Sequence, residues 1–263
     1  MSQIDEFDAH IDLLSAVIGQ ARRLFNCFRI APRTTNKKLF ALIILNEMVR
    51  KCESVEAMAR ASTWAGIVAV TRSAFESYAD LVNCLAIGDD YADYMSWMSL
   101  KQQRTFFQTG SEYPNSRYFP AIEATLKAKG RTMKTVIAET DQQMDKIARR
   151  LPDRFKDKNR KVIRRDQFRF ELAGKIDQYN MLYRRLSAST HGRVSDMLEG
   201  IMVGNEFQWP PGKPTEPPLV AADCLCAILL ESCGRIARAY KKPDAPFKAL
   251  AKRNAELKRE MYG

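Results

Sequence analysis

Histidine is scarce in this 263-residue chain, which has only His10 and His191. A metal centre built from several imidazoles is therefore excluded, and no carboxylate spacing points to one in their place. The six cysteines, Cys27, Cys52, Cys84, Cys224, Cys226 and Cys233, form no CxxC pair. Each sits in a stretch that reads as an amphipathic helix, which predicts reduced thiols acting as small core hydrophobes. There is no GxGxxG, no Walker loop, no zinc-ligand spacing and no internal repeat. Neither a metal nor a cofactor is expected. The longest apolar run, Leu39 to Leu45, is far below the roughly 18 residues of a membrane span. The N-terminus, MSQIDEFDAHID, is acidic and amphipathic, unlike the basic-then-apolar layout of a signal peptide. A cytoplasmic protein with no membrane partner is the expectation.

What the chain does have is size, apolar content and positive charge. Hydrophobic residues make up 46% and charged residues 28%, with a mean hydropathy of −0.35, so a sizeable core can form. The formal net charge is +11, and it is unevenly spread. Between Arg149 and Arg169 ten Lys or Arg face three Asp. Such a run reads either as a solvated basic linker or as a surface for a polyanion, nucleic acid first, with Arg160, Lys161, Arg164 and Arg165 as the binding residues.

Periodicity predicts an all-α, multi-helix bundle. Ile4, Phe7, Ile11, Leu14, Ile18, Ala21, Phe25 and Phe28 alternate steps of three and four, a seam for a first helix ended by Pro32. Its partner is a neighbouring helix or the same helix of a second subunit. A second helix, Asn36 to Ala61, is apolar nearly all round in its first half. A third starts at Ser62 or Thr63 and stops at Gly88, with Ile67, Ala74, Tyr78, Leu81 and Leu85 inward. Arg72 and Glu76 stand one turn apart on it, and Asp80 and Asn83 continue that stripe. Either they are an exposed ion pair, or Glu76 holds an arginine of a later helix.

Asp89 or Asp90 caps a fourth helix to about Gly110, and the segments 121–128 and 132–150 read as shorter helices. A long helix then runs from Asp166 to Thr190. Beyond Gly192, IMVGNEFQW reads as a small β-hairpin and PPGKPTEPP as a connector that cannot be helical. Together they form an insertion at about 193–218, before a penultimate helix from Leu219 to Tyr240. The expected division is one helical domain, 1–242, and a C-terminal helical appendage, 243–263.

The chemistry concentrates in Asp177 to Gly192, DQYNMLYRRLSASTHG. On a helix, Leu172, Ile176, Tyr179, Tyr183, Leu186 and Thr190 share a buried face. Asn180, Arg184, Ser187 and His191 form a second stripe, since five steps of about 100° separate Arg184 from Tyr179. Arg184, Arg185, Ser187 and His191 are the candidate catalytic residues, with Arg72, Glu76, Asn180 and Tyr183 in support. A bland account exists beside this one: His191 followed by Gly192 also makes a good helix C-terminus.

An arginine, a gap of five or six residues and then a histidine resembles the motif of the HEPN superfamily, all-helical domains of bacteria and eukaryotes. The resemblance spans the helical body to His191 and the helix returning after it. It also takes in the Arg72–Glu76 pair and the Tyr183, Ser187, His191 spacing. Many such domains are metal-independent ribonucleases of toxin, defence and CRISPR-associated systems, so the resemblance implies a homodimeric endoribonuclease acting on RNA, with an antitoxin or defence partner. The motif arginine is often followed by a polar residue, which Arg184 satisfies and Arg185 does not, leaving both as candidates. In such a site histidine moves a proton at the ribose 2′-OH or the leaving oxygen, and arginine stabilises the charged phosphate. One histidine supplies one of those roles, so two subunits would complete a composite site. The alternative expectation is a non-catalytic helical module that binds nucleic acid, a nucleotide or a partner protein through its basic surface.

Overall fold

The computed structural model describes residues 3–31, 34–61, 63, 66–113, 119–184, 202–203, 206–207 and 216–262. The architecture is all-α, and the chain divides into two compact units, one formed by 1–86 with 166–263 and the other by 87–165.

In the first unit α1 spans Gln3–Asn26, α2 Asn36–Arg60 and α3 Ile67–Ile87, the last residue of which already belongs to the second unit. After the second unit the chain returns as α7, Asp166–Leu172, and α8, Ile176–Gln178, which runs on into a π-helical turn, Tyr179–Tyr183. Two-residue strands β1, Met202–Val203, and β2, Glu206–Phe207, pair antiparallel. The long helices α9, Glu216–Ala239, and α10, Ala245–Tyr262, complete the unit. The heptad-like seam of α1 buries Phe7, Ile11, Leu14, Ile18 and Ala21 against α2, α9 and α10 of its own chain.

Several boundaries differ from expectation, each for a local reason. Helix α1 stops at Asn26, because Cys27 and Phe28 tighten into bonds to carbonyls three residues back, well before Pro32. Thr63 does not cap α3. Its amide bonds the Met58 carbonyl and its hydroxyl donates to the Ala61 carbonyl, so it closes α2 instead. The first half of α2 is not buried on every side although it is apolar nearly all round, since Ile43 is half exposed. Helix α9 begins at Glu216 and takes Pro217 and Pro218 into its first turn, where amides have no helical acceptor to lose. The rest of the expected insertion, outside β1 and β2, lies outside the described residues.

The long helix expected from Asp166 to Thr190 is broken at Gly174. There φ is +64°, the Gly174 amide bonds Glu171 O, and the Lys175 amide bonds Phe170 O. These two bonds are the Schellman ending, which needs a left-handed residue at that place. The last helix packs within the first unit. Phe247 and Leu257 of α10 are buried, the helix packs on α1 and α9, and Lys258 Nζ lies 3.0 Å from Asp223 of α9. Its apolar residues are too few for the sequence to show a core face, but they are spaced to reach one.

The second unit pairs α4, Asp89–Glu112, with α6, Met133–Arg150, while α5, Phe119–Ala128, lies between them in the chain. Thr132 and Thr135 form a capping box at the start of α6. The basic run after α6 is folded rather than a loose linker. A 3-10 turn, Asp153–Phe155, and an antiparallel bridge between Lys156 and Val162 shape it, with Phe155 fully buried and stacked on Tyr94 at 5.1 Å.

All six cysteines are free. Cys52, Cys84, Cys226 and Cys233 are buried, whereas Cys27 is exposed. Burial pushes the Cys233 thiol up to about 12, which leaves it without thiolate character at neutral pH. No helix among the described residues is long and apolar enough to cross a membrane.

Candidate functional site

The polar stripe of α3 is the organising element of the site. Ala74, Tyr78 and Leu81 are buried as their spacing predicts, but Ser77, Asp80 and Asn83 are buried too, so α3 is covered on its polar side as well. Buried polar groups must find partners; Ser77, Asp80 and the Asn83 amide nitrogen do, while Asn83 Oδ1 has none among the described residues. Arg72 and Glu76 are therefore not an exposed ion pair, with side chains only 22% and 28% accessible.

Tyr183 joins them. Arg72 Nη2 donates to Tyr183 Oη at 2.8 Å, and Tyr183 Oη donates to Glu76 Oε1 at 2.8 Å. The guanidinium carbon of Arg72 also stands 4.9 Å from the Tyr183 ring centroid. Burial pushes the Tyr183 phenol up to about 12, and its bond to Glu76 acts in the same direction against the opposing pull of Arg72. The ring completes an aromatic set, stacked on Tyr179 at 5.0 Å and tilted against Phe170 at 5.2 Å.

The arginine that faces Glu76 is Arg169 of α7, whose Nη1 lies 3.8 Å from Glu76 Oε2 and donates to Asp80 Oδ2 at 3.1 Å. Its backbone carbonyl accepts from Asn83 Nδ2 at 2.7 Å, so α7 is tied to α3 by main chain and side chain together. From α2, Lys51 Nζ donates to Ser77 Oγ at 2.7 Å and to the Ser73 carbonyl at 3.1 Å. Burial lowers the Lys51 amine, with Arg169 adding to the effect, while Glu76, Glu47 and Asp80 oppose it. Three cations, Lys51, Arg72 and Arg169, thus surround two carboxylates, Glu76 and Asp80.

Sequence reasoning did not single out Lys51, Arg169 or Ser77. Arg169 was hidden within a basic run that looked like surface charge. The signal that could have found it is its place between Phe168 and Phe170, both buried.

The π-helical turn carries the chain toward the catalytic candidates. The Arg184 amide bonds Tyr179 O, five residues back, so the 100° step of an α-helix does not hold across this turn. Asn180 and Arg184 are both exposed nonetheless, and Tyr183 is buried. Of the expected buried face, Leu172, Ile176 and Tyr179 are only partly covered. Arg185, Ser187 and His191, with Leu186 and Thr190, lie outside the described residues.

The expected nucleic-acid residues belong to the second unit and have unequal surroundings. Arg160 holds φ at +62° and pairs with Asp153 at 2.6 Å. The Lys161 amide bonds the Asp157 carboxylate at 2.9 Å. Arg164 lies over Trp97, 5.9 Å from the ring centroid. Arg165 is exposed.

No curated protein and no solved structure matches the chain. A family model described as a family of unknown function, DUF5677, matches residues 38–207. That span holds Lys51, Arg72, Glu76, Asp80, Arg169 and Tyr183 together with the stretch from Arg184 to His191. Since the match covers more than half of the sequence, the chain belongs to the DUF5677 family.

Proposed function

We propose that the protein is a metal-independent endoribonuclease of HEPN type, working in the cytoplasm as a homodimeric toxin or defence effector. The observation that supports this reading is the clamp on Tyr183, whose hydroxyl is bonded at 2.8 Å to both Arg72 and Glu76. Tyr183 directly precedes Arg184. A side chain held from two directions fixes the backbone on which the reacting residues follow, and catalysis needs its reacting groups held in such a productive geometry. Asn180 and Arg184 are exposed beside it, so a phosphate can reach them.

In this reading Arg184 or Arg185 stabilises the charge that develops on the phosphate, and His191 moves the proton at the 2′-oxygen or the leaving 5′-oxygen. Ser187 orients the imidazole or the phosphate. A second copy supplies the second histidine, as two-fold symmetry allows. An antitoxin or another defence component is the expected protein partner.

Purified protein incubated with total RNA in the presence of a chelator tests the reading. Cleavage that disappears in His191→Ala, with helical content and dimerisation intact, is the expected result. Cleavage that survives the substitution, or that the chelator abolishes, overturns it.

One observation favours a second reading, a non-catalytic helical module that binds a partner. Arg72, Glu76 and Tyr183 bond one another, and this is what a purely architectural clamp would also do. Absence of cleavage of any RNA by the wild-type protein, together with retained binding, selects the module.

A further inference from the structure

The cations of the second unit are not equivalent. Arg150 pairs with Asp93, Arg154 pairs with Asp90 at 2.7 Å, and Arg160 pairs with Asp153 at 2.6 Å. Those three are already compensated by carboxylates of their own unit. Lys101 and Arg164 differ, because among the described residues neither has a carboxylate within ion-pair distance. The acid that acts on Lys101 is Asp141, and Asp141 is bonded to Arg104 at 2.5 Å.

The fold holds this pair in place. Trp97, Lys101 and Arg104 recur at four and three residues along α4, which puts them on one face. Arg164 is brought to that face by the folded basic run. Tyr94 Oη donates to the Ile163 carbonyl at 3.0 Å, and the Ile163 amide bonds Phe155 O at 2.9 Å. With the residue before it fixed on both sides, Arg164 lies over the Trp97 ring, one helical turn from Lys101. Lys101 is half-buried and Arg164 is exposed, so an anion can approach the two from solvent. Burial lowers the Lys101 amine, and the Arg164 and Arg104 charges lower it further against the opposing pull of Asp141, as expected where like charges gather.

We propose that Lys101 of α4 and Arg164 of the basic run form a phosphate-binding pair, and that under the ribonuclease reading, on which the choice of ligand rests, it takes a phosphodiester group of the RNA. Two cations side by side gain most from a doubly contacted phosphate, where arginine offers paired donors and lysine a point charge. The basic run then acts through Arg164 rather than through its most charged residues, whose field the aspartates cancel. The pair positions RNA without reading its bases.

The test uses the full chain carrying His191→Ala, so that RNA survives the measurement, with a fluorescent single-stranded RNA as one probe and tripolyphosphate as the other. Lys101→Ala with Arg164→Ala is expected to weaken RNA binding by about tenfold or more at low salt. It is also expected to reduce the slope of log affinity against log salt by about 0.7, the share of one phosphate on a single strand. Arg150→Ala with Arg154→Ala removes the same formal charge and is expected to change affinity by less than about twofold. Lys101→Arg with Arg164→Lys keeps the charges and should keep the salt slope.

Equal losses in the two alanine pairs overturn the proposal, since general charge would then suffice. Unchanged RNA binding in the Lys101 and Arg164 double variant overturns it while leaving the ribonuclease reading standing. If RNA does not bind but tripolyphosphate does, and the double variant loses it, the pair holds a free polyphosphate and the ribonuclease reading fails instead. Failure of the parent protein to bind either probe overturns the proposal outright.

Discussion

Arg169 Nη1 sits 3.1 Å from Asp80 Oδ2, and the Asp80 side chain is only 7% accessible. The two residues are 89 positions apart in the chain, yet their contact decides how α7 lies on α3. Pairing a buried carboxylate is a matter of avoiding a penalty, because an uncompensated charge in that position would cost several kcal/mol.

Removing one partner should therefore hurt more than removing both. Asp80→Ala is expected to lower unfolding free energy by about 3–5 kcal/mol, since Arg169 loses its closest acceptor in a covered site. Arg169→Leu combined with Asp80→Ala should cost less than the two single changes added together. Urea denaturation of the three variants measures this, and strict additivity would show that the pair is not coupled.

Tyr183→Phe removes a hydroxyl and keeps the ring. Losing a bonded phenol beside a charged Arg72 and Glu76 should cost about 1.5–3 kcal/mol. The pH dependence has a definite sign. The Tyr183 phenol is raised to about 12 from the ordinary value of about 10, so the folded state holds a proton that the unfolded state releases. Its stabilisation is whole below the unfolded value and declines as pH rises from there toward 12. The late-titrating phenol seen in the tyrosinate absorbance of the folded wild type should be missing from Tyr183→Phe.

Lys51 has the opposite sign in a neighbouring window. Its amine is lowered by burial, so the folded state holds fewer protons than the unfolded one below the ordinary lysine value of about 10.4. Stability contributed at this site therefore rises with pH between the folded value and the ordinary one. Lys51→Met should flatten that rise in denaturation curves taken across the alkaline range. An unchanged rise would locate its source elsewhere.

Gly174 marks the break between α7 and α8, and a Cβ there would meet no atom within 4 Å. Space is thus no obstacle to Gly174→Ala, and any loss reports the left-handed backbone alone. The expected cost is about 1 kcal/mol, with Gly174→Asn costing less. A stabilising alanine, read from the denaturation midpoint, would contradict the positive φ.

The legibility of the chain followed from how local each cause is. Phe7, Ile11, Leu14, Ile18 and Ala21 revealed a buried helix face because helical spacing is written into adjacent turns. Thr132 marked the start of α6, since a cap acts within three residues. Gly174 carried a stop signal that the longer apolar pattern around it outweighed. For the site, the Arg72, Glu76, Asp80 and Asn83 stripe was visible as a stripe, but whether it met water or protein was not.

The all-α class, the helix faces, the reduced cysteines and the surplus of positive charge were determined by the sequence alone, because periodicity and composition act over short distances. Only the tertiary structure decided which charges are internal. Arg169, which charge alone does not distinguish from its basic neighbours, is an ion-pair partner of Asp80, and Tyr183 lies between Arg72 and Glu76, more than a hundred residues away. It also separated Arg164 from the aspartate-paired Arg150, Arg154 and Arg160. The physical reason is shared: a charge takes its meaning from what stands within a few ångströms, and for all of these but Arg160 that neighbour comes from a different helix.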